Sequence, residues 1–294
     1  MAAISVGDAA IMRVEELTHR MPISAFGADP DWLAAQMHWL RPRFLEPDDH
    51  WTMVFQSFVV AVDGRIIVVD PCTGNGRPSP GFPLFDNLDI PFLERMAATG
   101  VRPEAVDYVI CTHLHADHCG WNTQLRDGRF VPTFPNARYL LGRREVDHWN
   151  PARPGFVPNP LSGPAIFDAS VRPVIEAGLA DLVGDSHDVL PGLRIEAAPG
   201  HTAGHAVVHL QSAGRHALFT GDCFHHPLEL VRPELDMGAC EDFAVALATR
   251  RRLVAHCLAH DALVVPAHFA APHVGHLRQD GDGLRFVPLD GAVW

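Results

Sequence analysis

The sequence predicts an α/β protein of two similar halves, each a sheet with covering helices, packed sheet against sheet. Strand-length apolar runs, such as Val54 to Val62, Tyr108 to Cys111, Ala217 to Phe219 and Ala262 to Val265, alternate with helical stretches along the chain. Both faces of each such sheet need apolar cover, which leaves several layered α/β arrangements open. The polar residues that stand out follow directly after these runs, so they converge on one sheet edge. With 294 residues, 47% hydrophobic and 20% charged, the chain can bury a full core. It reads most simply as one domain over 1–294, with 1–53 as an aromatic-rich N-terminal extension.

Residues 1–53 are the least regular part and hold Phe26, Trp32, Trp39, Phe44 and Trp51, which suit core packing, a lid or a dimer contact. Asp31 to Leu40 is expected to be helical, capped by Asp29 or Asp31. Val54 to Val62 and Arg65 to Val69 flank Asp63-Gly64, a strong hairpin signal, and the strand ends at Asp70. Cys72 to Asp86 is Gly- and Pro-rich and reads as a loop. Asp89 to Ala98 reads as a helix stopped by Gly100 and leading to the strand before Thr112.

Trp121 to Pro135 reads as a loop or hairpin, Ala137 to Leu141 as a strand and Arg143 to Trp149 as a short helix. Residues 150–165 carry five prolines and predict an irregular excursion near the site mouth. Ser170 to Leu182 is expected to be a helix with Pro173 in its first turn. Leu193 to Ala198 is a strand, and Glu241 to His260 is the strongest helix. Arg250-Arg251-Arg252 lies within it and is expected to form a solvated face.

Within Thr112-His113-Leu114-His115-Ala116-Asp117-His118, three imidazoles and a carboxylate fall in the six residues from His113 to His118. His113 and His115 can project to one side of an extended turn, while Asp117 and His118 follow where a helix would begin. His201, Asp222 and His268 each come after a later strand. Neutral imidazole and carboxylate suit zinc and other borderline divalent ions. One histidine among 19 is more often a surface or core residue than a ligand, but chance does not readily produce the whole set.

In the order Thr112 to His118, His201, Asp222 and His268, the chain resembles the metallo-β-lactamase-fold hydrolase superfamily over roughly residues 54–270. The resemblance implies a four-layered αβ/βα sandwich. It also implies one metal held by His113, His115 and His201, a second by Asp117, His118 and His268, and Asp222 bridging them. Asp70 would then be a buried aspartate that supports the metal loops. Trp121-Asn122, Phe134 to Tyr139 and Pro199 to His205 look most like the lactonase and methyl-parathion-hydrolase branch.

That branch implies two divalent ions, zinc being expected, and a bridging hydroxide that opens a lactone or related carboxylic ester, with Asp117 or Asp222 relaying a proton. Phosphotriester hydrolysis is the alternative, followed by an iron-dependent dioxygenase acting on a thiol. The lactonases resembled here place a tyrosine three residues after the bridging aspartate. His225 stands at that position, and a neutral His225, or His226, is the candidate hydrogen-bond donor to the developing oxyanion. An exposed pair of loop histidines is the plainer reading.

The formal charge of −12 disfavours nucleic acid as a partner and favours a neutral or weakly polar small molecule. Met1 to Leu17 contains Asp8, Glu15 and Glu16 and lacks a secretory pattern, and no run is long enough to span a bilayer. The six cysteines show no framework spacing and are expected to be free thiols, with Cys119 and Cys223 packed as small hydrophobes. A cytoplasmic enzyme with no membrane partner is the expectation, and the resemblance suggests a homodimer.

Overall fold

The computed structural model describes residues 3–79 and 81–289. The first sheet begins with β1 (Ile4–Val6), β2 (Ala9–Pro22), β3 (His50–Val62), β4 (Arg65–Val69) and β5 (Tyr108–Cys111). A separate hairpin, β6 (Thr123–Arg126) and β7 (Arg129–Pro132), precedes the last two strands, β8 (Arg138–Gly142) and β9 (Ala180–Val183). β1 to β4 are antiparallel neighbours, whereas β4, β5, β8 and β9 run parallel.

The second sheet runs in chain order: β10 (Ser186–Leu190), β11 (Leu193–Ala197), β12 (Ala206–Ser212), β13 (Arg215–Gly221), β14 (Leu263–Pro266), β15 (Gly275–Asp280) and β16 (Gly283–Pro288). Its one parallel pair is β13 with β14. The helices are α1 (Pro30–Leu40), α2 (Phe92–Ala98), α3 (Ala116–Cys119), α4 (Arg143–Trp149), α5 (Pro164–Ser170), α6 (Arg172–Glu176), α7 (Pro227–Val231) and α8 (Phe243–His260).

Strand periodicity decides the layers, because successive side chains point to opposite faces. Phe58, Val60, Ile67, Val69 and Ile110 meet Ile195, Val208, Phe219 and Val265 between the sheets. Their neighbours Val59, Val68 and Val109 pack outward against Phe92 and Met96 of α2 and Val146 of α4. On the far side, Val207, Leu218 and Val264 pack against Leu253 and Cys257 of α8. The result is the four-layered αβ/βα sandwich. Each fully buried Val, Leu or Phe in these layers contributes roughly 1.5–3 kcal/mol.

The Asp63-Gly64 turn has positive φ at both residues, 49° and 70°, as a two-residue hairpin of this kind requires. Asp29 caps α1 by accepting from Trp32 N at 2.9 Å.

Several expectations are corrected. Residues 4–22 are not irregular: β2 pairs with β3 along its length. Phe26, Phe44 and Trp51 belong to the core beneath the second sheet, with Trp32 and Trp39 packed at its margin. The helix expected over Ser170 to Leu182 is broken up. α5 ends at Ser170, α6 ends at Glu176 with Pro173 in its first turn, and Gly178 turns the chain with φ 70°. Ala180 to Leu182 then pairs with β8, because this pairing satisfies the open backbone edge of β8, which a helix there would leave unpaired. Arg250 is also not on a solvated face: it is buried, while Arg251 and Arg252 are exposed.

Candidate metal centre

Every ligand candidate sits just past a strand on one shared edge of the two sheets. His113 and His115 follow β5, Asp117 and His118 open α3, His201 follows β11, Asp222 follows β13 and His268 follows β14. All are buried. The turn into Asp222 needs a glycine: Gly221 has φ 49°, and a Cβ there would lie 2.6 Å from Thr112 Oγ1 and 2.7 Å from His205 Nε2.

The donors fall into two sets, His113, His115, His201 and Asp222, and Asp117, His118, Asp222 and His268, with the ligand atoms of each set within 4.8 Å of one another. Asp222 divides its oxygens between them. Oδ2 lies 3.8 Å from His113 Nε2 and 3.4 Å from His201 Nε2. Oδ1 lies 3.1 Å from His118 Nε2 and 2.9 Å from His268 Nε2. His115 Nδ1 is 3.0 Å from both His113 Nε2 and His201 Nε2. Asp117 Oδ2 is 3.5 Å from His118 and 3.6 Å from His268.

Nitrogen and oxygen donors converge here with little apolar packing between them. His118 Nε2 and Asp222 Oδ1 are buried without a well-formed hydrogen bond. Such convergence is costly for a protein core and suits bound cations. The residues present therefore fit two divalent ions.

Burial, reinforced by neighbouring histidines, keeps His113 well below its ordinary pKa; His201 is held well below it and His115 falls to about 4, burial being the main cause in both. These rings are neutral, which is the ligand form. Burial opposes charge on His118, but Asp222, Asp117 and Asp70 outweigh it and lift His118 well above its usual value. Burial likewise raises Asp222, yet His118, His268 and His225 prevail and hold it well below the carboxylate range.

The outer nitrogens of several ligands are anchored. Asp70 accepts from Thr112 N at 2.7 Å and from Thr112 Oγ1 at 2.9 Å, and its Oδ2 lies 3.1 Å from His118 Nδ1. It therefore supports the ligand loop as the resemblance implied. His268 Nδ1 is 2.9 Å from the Val54 carbonyl. His205 Nε2 accepts from Asp222 N at 3.1 Å, which steadies the bridging turn. In the proline-rich excursion, Ser162 Oγ donates to Leu114 O and Leu161 O accepts from Ala116 N, both at 2.8 Å. The excursion thus reaches the ligand loop.

The His225-His226 pair is buried and splits, contrary to an exposed loop pair. His225 faces the centre, with Nε2 3.3 Å from Asp222 Oδ2 and Nδ1 3.5 Å from Glu229 Oε2. Burial disfavours the charge, but Asp222 and Glu229 raise the pKa to about 10. His226 turns away, where its Nδ1 accepts from Leu228 N and its ring packs against Phe26, Phe44 and Trp51.

Sequence reasoning missed three buried charges. Glu145 of α4 accepts from Leu114 N at 3.2 Å, Gly204 N at 3.0 Å and Thr202 Oγ1, tying the His113–His115 loop to the His201 loop. Glu229 accepts from His225 N and is held by Arg250 Nη2 at 2.8 Å. Glu16 accepts from Thr73 N, Gly74 N and Trp121 Nε1. Each lies on a helix or strand whose periodicity gives a carboxylate no reason to be inside; the only local hint is Glu229 three residues after His226, a capping-box spacing. All six cysteines are free. Burial raises the Cys119 and Cys223 thiols, consistent with packing.

The sequence pattern of the Metallo-beta-lactamase superfamily matches residues 53–268. The chain belongs to that superfamily. Both donor sets are intact in it. A solved hydrolase, AbOPH, described as in the beta lactamase superfamily, is 23% identical with a TM-score of 0.79, covering 98% of this chain and 97% of that one. AidC, described as a dizinc quorum-quenching lactonase, is 17% identical with a TM-score of 0.76, covering 97% and 96%. At these identities the likeness shows the fold. The N-acyl homoserine lactonase AttM of Azorhizobium caulinodans is 29% identical over 115 residues, 38% of this chain and 38% of that protein. The transcription termination factor FttA of Pyrococcus horikoshii is 25% identical over 189 residues, 60% of this chain and 27% of that protein. The matches thus span well under two thirds of either curated relative. No helix among the described residues is long and apolar enough to cross a membrane.

Proposed function

We propose that the chain is a dinuclear hydrolase, loaded with zinc, that opens a lactone or a related carboxylic ester. The observation that carries the reading is the division of the two Asp222 oxygens between two complete donor sets. A mononuclear iron dioxygenase would leave Asp117, His118 and His268 with no ion to hold, although they form a compact set with Asp222. AidC and AttM, both named as lactonases, support the ester reading.

When bound, the ions would lower the pKa of water to about 7 and polarise the substrate carbonyl. His113, His115 and His201 would hold one ion, and Asp117, His118 and His268 the other. Asp117 Oδ1 is buried without a partner, which leaves it able to take or give a proton at the leaving alkoxide. His225, fixed on one side by Glu229 and on the other by Asp222, directs an N–H toward the centre and is placed to donate to the developing oxyanion. The ring is stacked on His268, with centroids 5.6 Å apart and planes 9° apart, which restricts its rotation.

The net charge of −12 suits a small neutral substrate and not a nucleic-acid backbone. The reading also takes the protein as cytoplasmic and, following similar enzymes, a homodimer. Elemental analysis after purification without chelator, combined with a panel of lactones, aryl esters, thioesters and phosphotriesters, tests the central claim. Two ions per chain and highest kcat/KM on a lactone or ester are expected. Full activity at one ion refutes the dinuclear reading, and preference for phosphotriesters moves the reaction to phosphorus.

A further inference from the structure

The outer face of the second sheet carries a row of imidazoles away from the ligand loops. His209 of β12 and His216 of β13 share the sheet face of Val207 and Leu218, the face that α8 covers. α8 brings His256 and His260, one helical turn apart, against them. Ring centroids are 4.7 Å apart for His209 and His256, 4.5 Å for His256 and His260, and 5.0 Å for His260 and His216. In the metal centre the rings of His113, His115 and His201, whose nitrogens converge, stand 4.5, 4.7 and 4.8 Å apart. The ring spacing is similar, but here the rings meet in successive pairs, and no three of them bring ligand atoms within 4.8 Å of one another as the sets of the metal centre do.

These rings have little else to bind. Among the described residues, His216, His256 and His260 make ring contacts but no hydrogen bond or ion pair, and His209 Nε2 is buried without a hydrogen bond, 3.5 Å from Glu196. Glu196 is already engaged by Arg194 and Arg252. Burial holds His256 below its usual pKa, with His260 adding to the effect. A neutral imidazole with a free lone pair is what a borderline divalent ion takes. His216 and His260 also line a cavity of about 700 Å³, which gives an ion a way in from solvent.

We propose that this row holds a peripheral site for a borderline divalent ion of the zinc, nickel or copper class, chelated by His256 and His260 across one turn of α8, beside His209 and His216. The rings run in a line and do not surround a point, so water completes the coordination and affinity falls below that of the dinuclear centre. The inference stands on residues separate from that centre and does not depend on the reaction proposed there.

The test dialyses the metal-loaded protein to equilibrium against Zn²⁺ at micromolar free-ion levels and counts ions by elemental analysis, with circular dichroism confirming the fold. The His256→Ala/His260→Ala variant should hold about one ion per chain fewer than wild type. His260→Asn alone, at an exposed position that leaves the core untouched, should raise the half-saturating Zn²⁺ level about 10-fold or more. Equal metal content in wild type and the double variant across the titration overturns the site. Because the count is a difference between two proteins, a dinuclear centre that bound a different number of ions would leave this result readable.

Discussion

Glu145→Ala should uncouple the two ligand loops that build one half of the metal centre. The carboxylate accepts from Leu114 between His113 and His115, and from Thr202 and Gly204 just after His201. Leu114 and Thr202 are fully buried and Gly204 is half-buried. Bonds to a charged acceptor contribute about 1.5–3 kcal/mol each, and the buried donors of Leu114 and Thr202 left behind cannot reach water. Removing the carboxylate also removes its own burial cost, which brings the expected loss below the sum of three such bonds, to about 3 kcal/mol in total.

The second effect is on metal binding, where loss of a group that orients ligands typically costs about 10–100-fold in affinity. It should fall on the set of His113, His115 and His201 and spare that of Asp117, His118 and His268. Glu145→Gln sharpens the test. Its oxygen can still accept from Thr202 and Gly204, but its amide then faces the Leu114 N–H, so only the His113–His115 end is released. Urea unfolding of the metal-free proteins, with stepwise Zn²⁺ titration of each, reads both quantities. Wild-type stability and two unchanged binding steps in Glu145→Ala would refute the clamp.

Asp222→Ala should lose both ions and turnover together, because it removes the carboxylate shared by both donor sets; wild-type metal content and activity would make Asp222 an ordinary turn residue. His225→Ala should lower kcat on the best lactone or ester by about 10²–10³ while both ions stay bound, and unchanged kinetics would leave the metals as the only electrophiles. His226 is held neutral by burial, its pKa lowered to about 4, against about 6.5 in the unfolded chain. The unfolded state therefore binds the extra proton first. The stability contribution is present above pH about 6.5 and is lost as pH falls toward about 4. His226→Gln keeps an acceptor for Leu228 N and a donor for the Phe44 carbonyl, so its Tm should fall less than that of wild type across this window; parallel curves would exclude His226 as a contributor.

The candidate ligand strings were legible because a donor set of this kind is assembled from short local segments at strand ends. His113, His115, Asp117 and His118 declare themselves by spacing, and His201, Asp222 and His268 by following apolar runs. The Asp63-Gly64 hairpin and the Asp29 cap are equally local, since each depends on a backbone conformation its own residues favour. The two-halved architecture followed from apolar runs that need cover on both faces. Only the tertiary structure could decide the rest. β2 carries Arg13, Glu15, Glu16, Thr18, His19 and Arg20 among its apolar residues, and reads as a strand only once β3 lies beside it. Ala180 to Leu182 became a strand because β8 offered an open edge. Glu16, Glu145, Glu229 and Arg250 look like surface charges in the sequence, and their burial is possible because partners distant in the chain supply the hydrogen bonds that water would otherwise give. His225 and His226 are adjacent in sequence, yet one faces the metal ligands and the other an aromatic core. That separation depends on what packs on each side of the turn, and no local pattern encodes it.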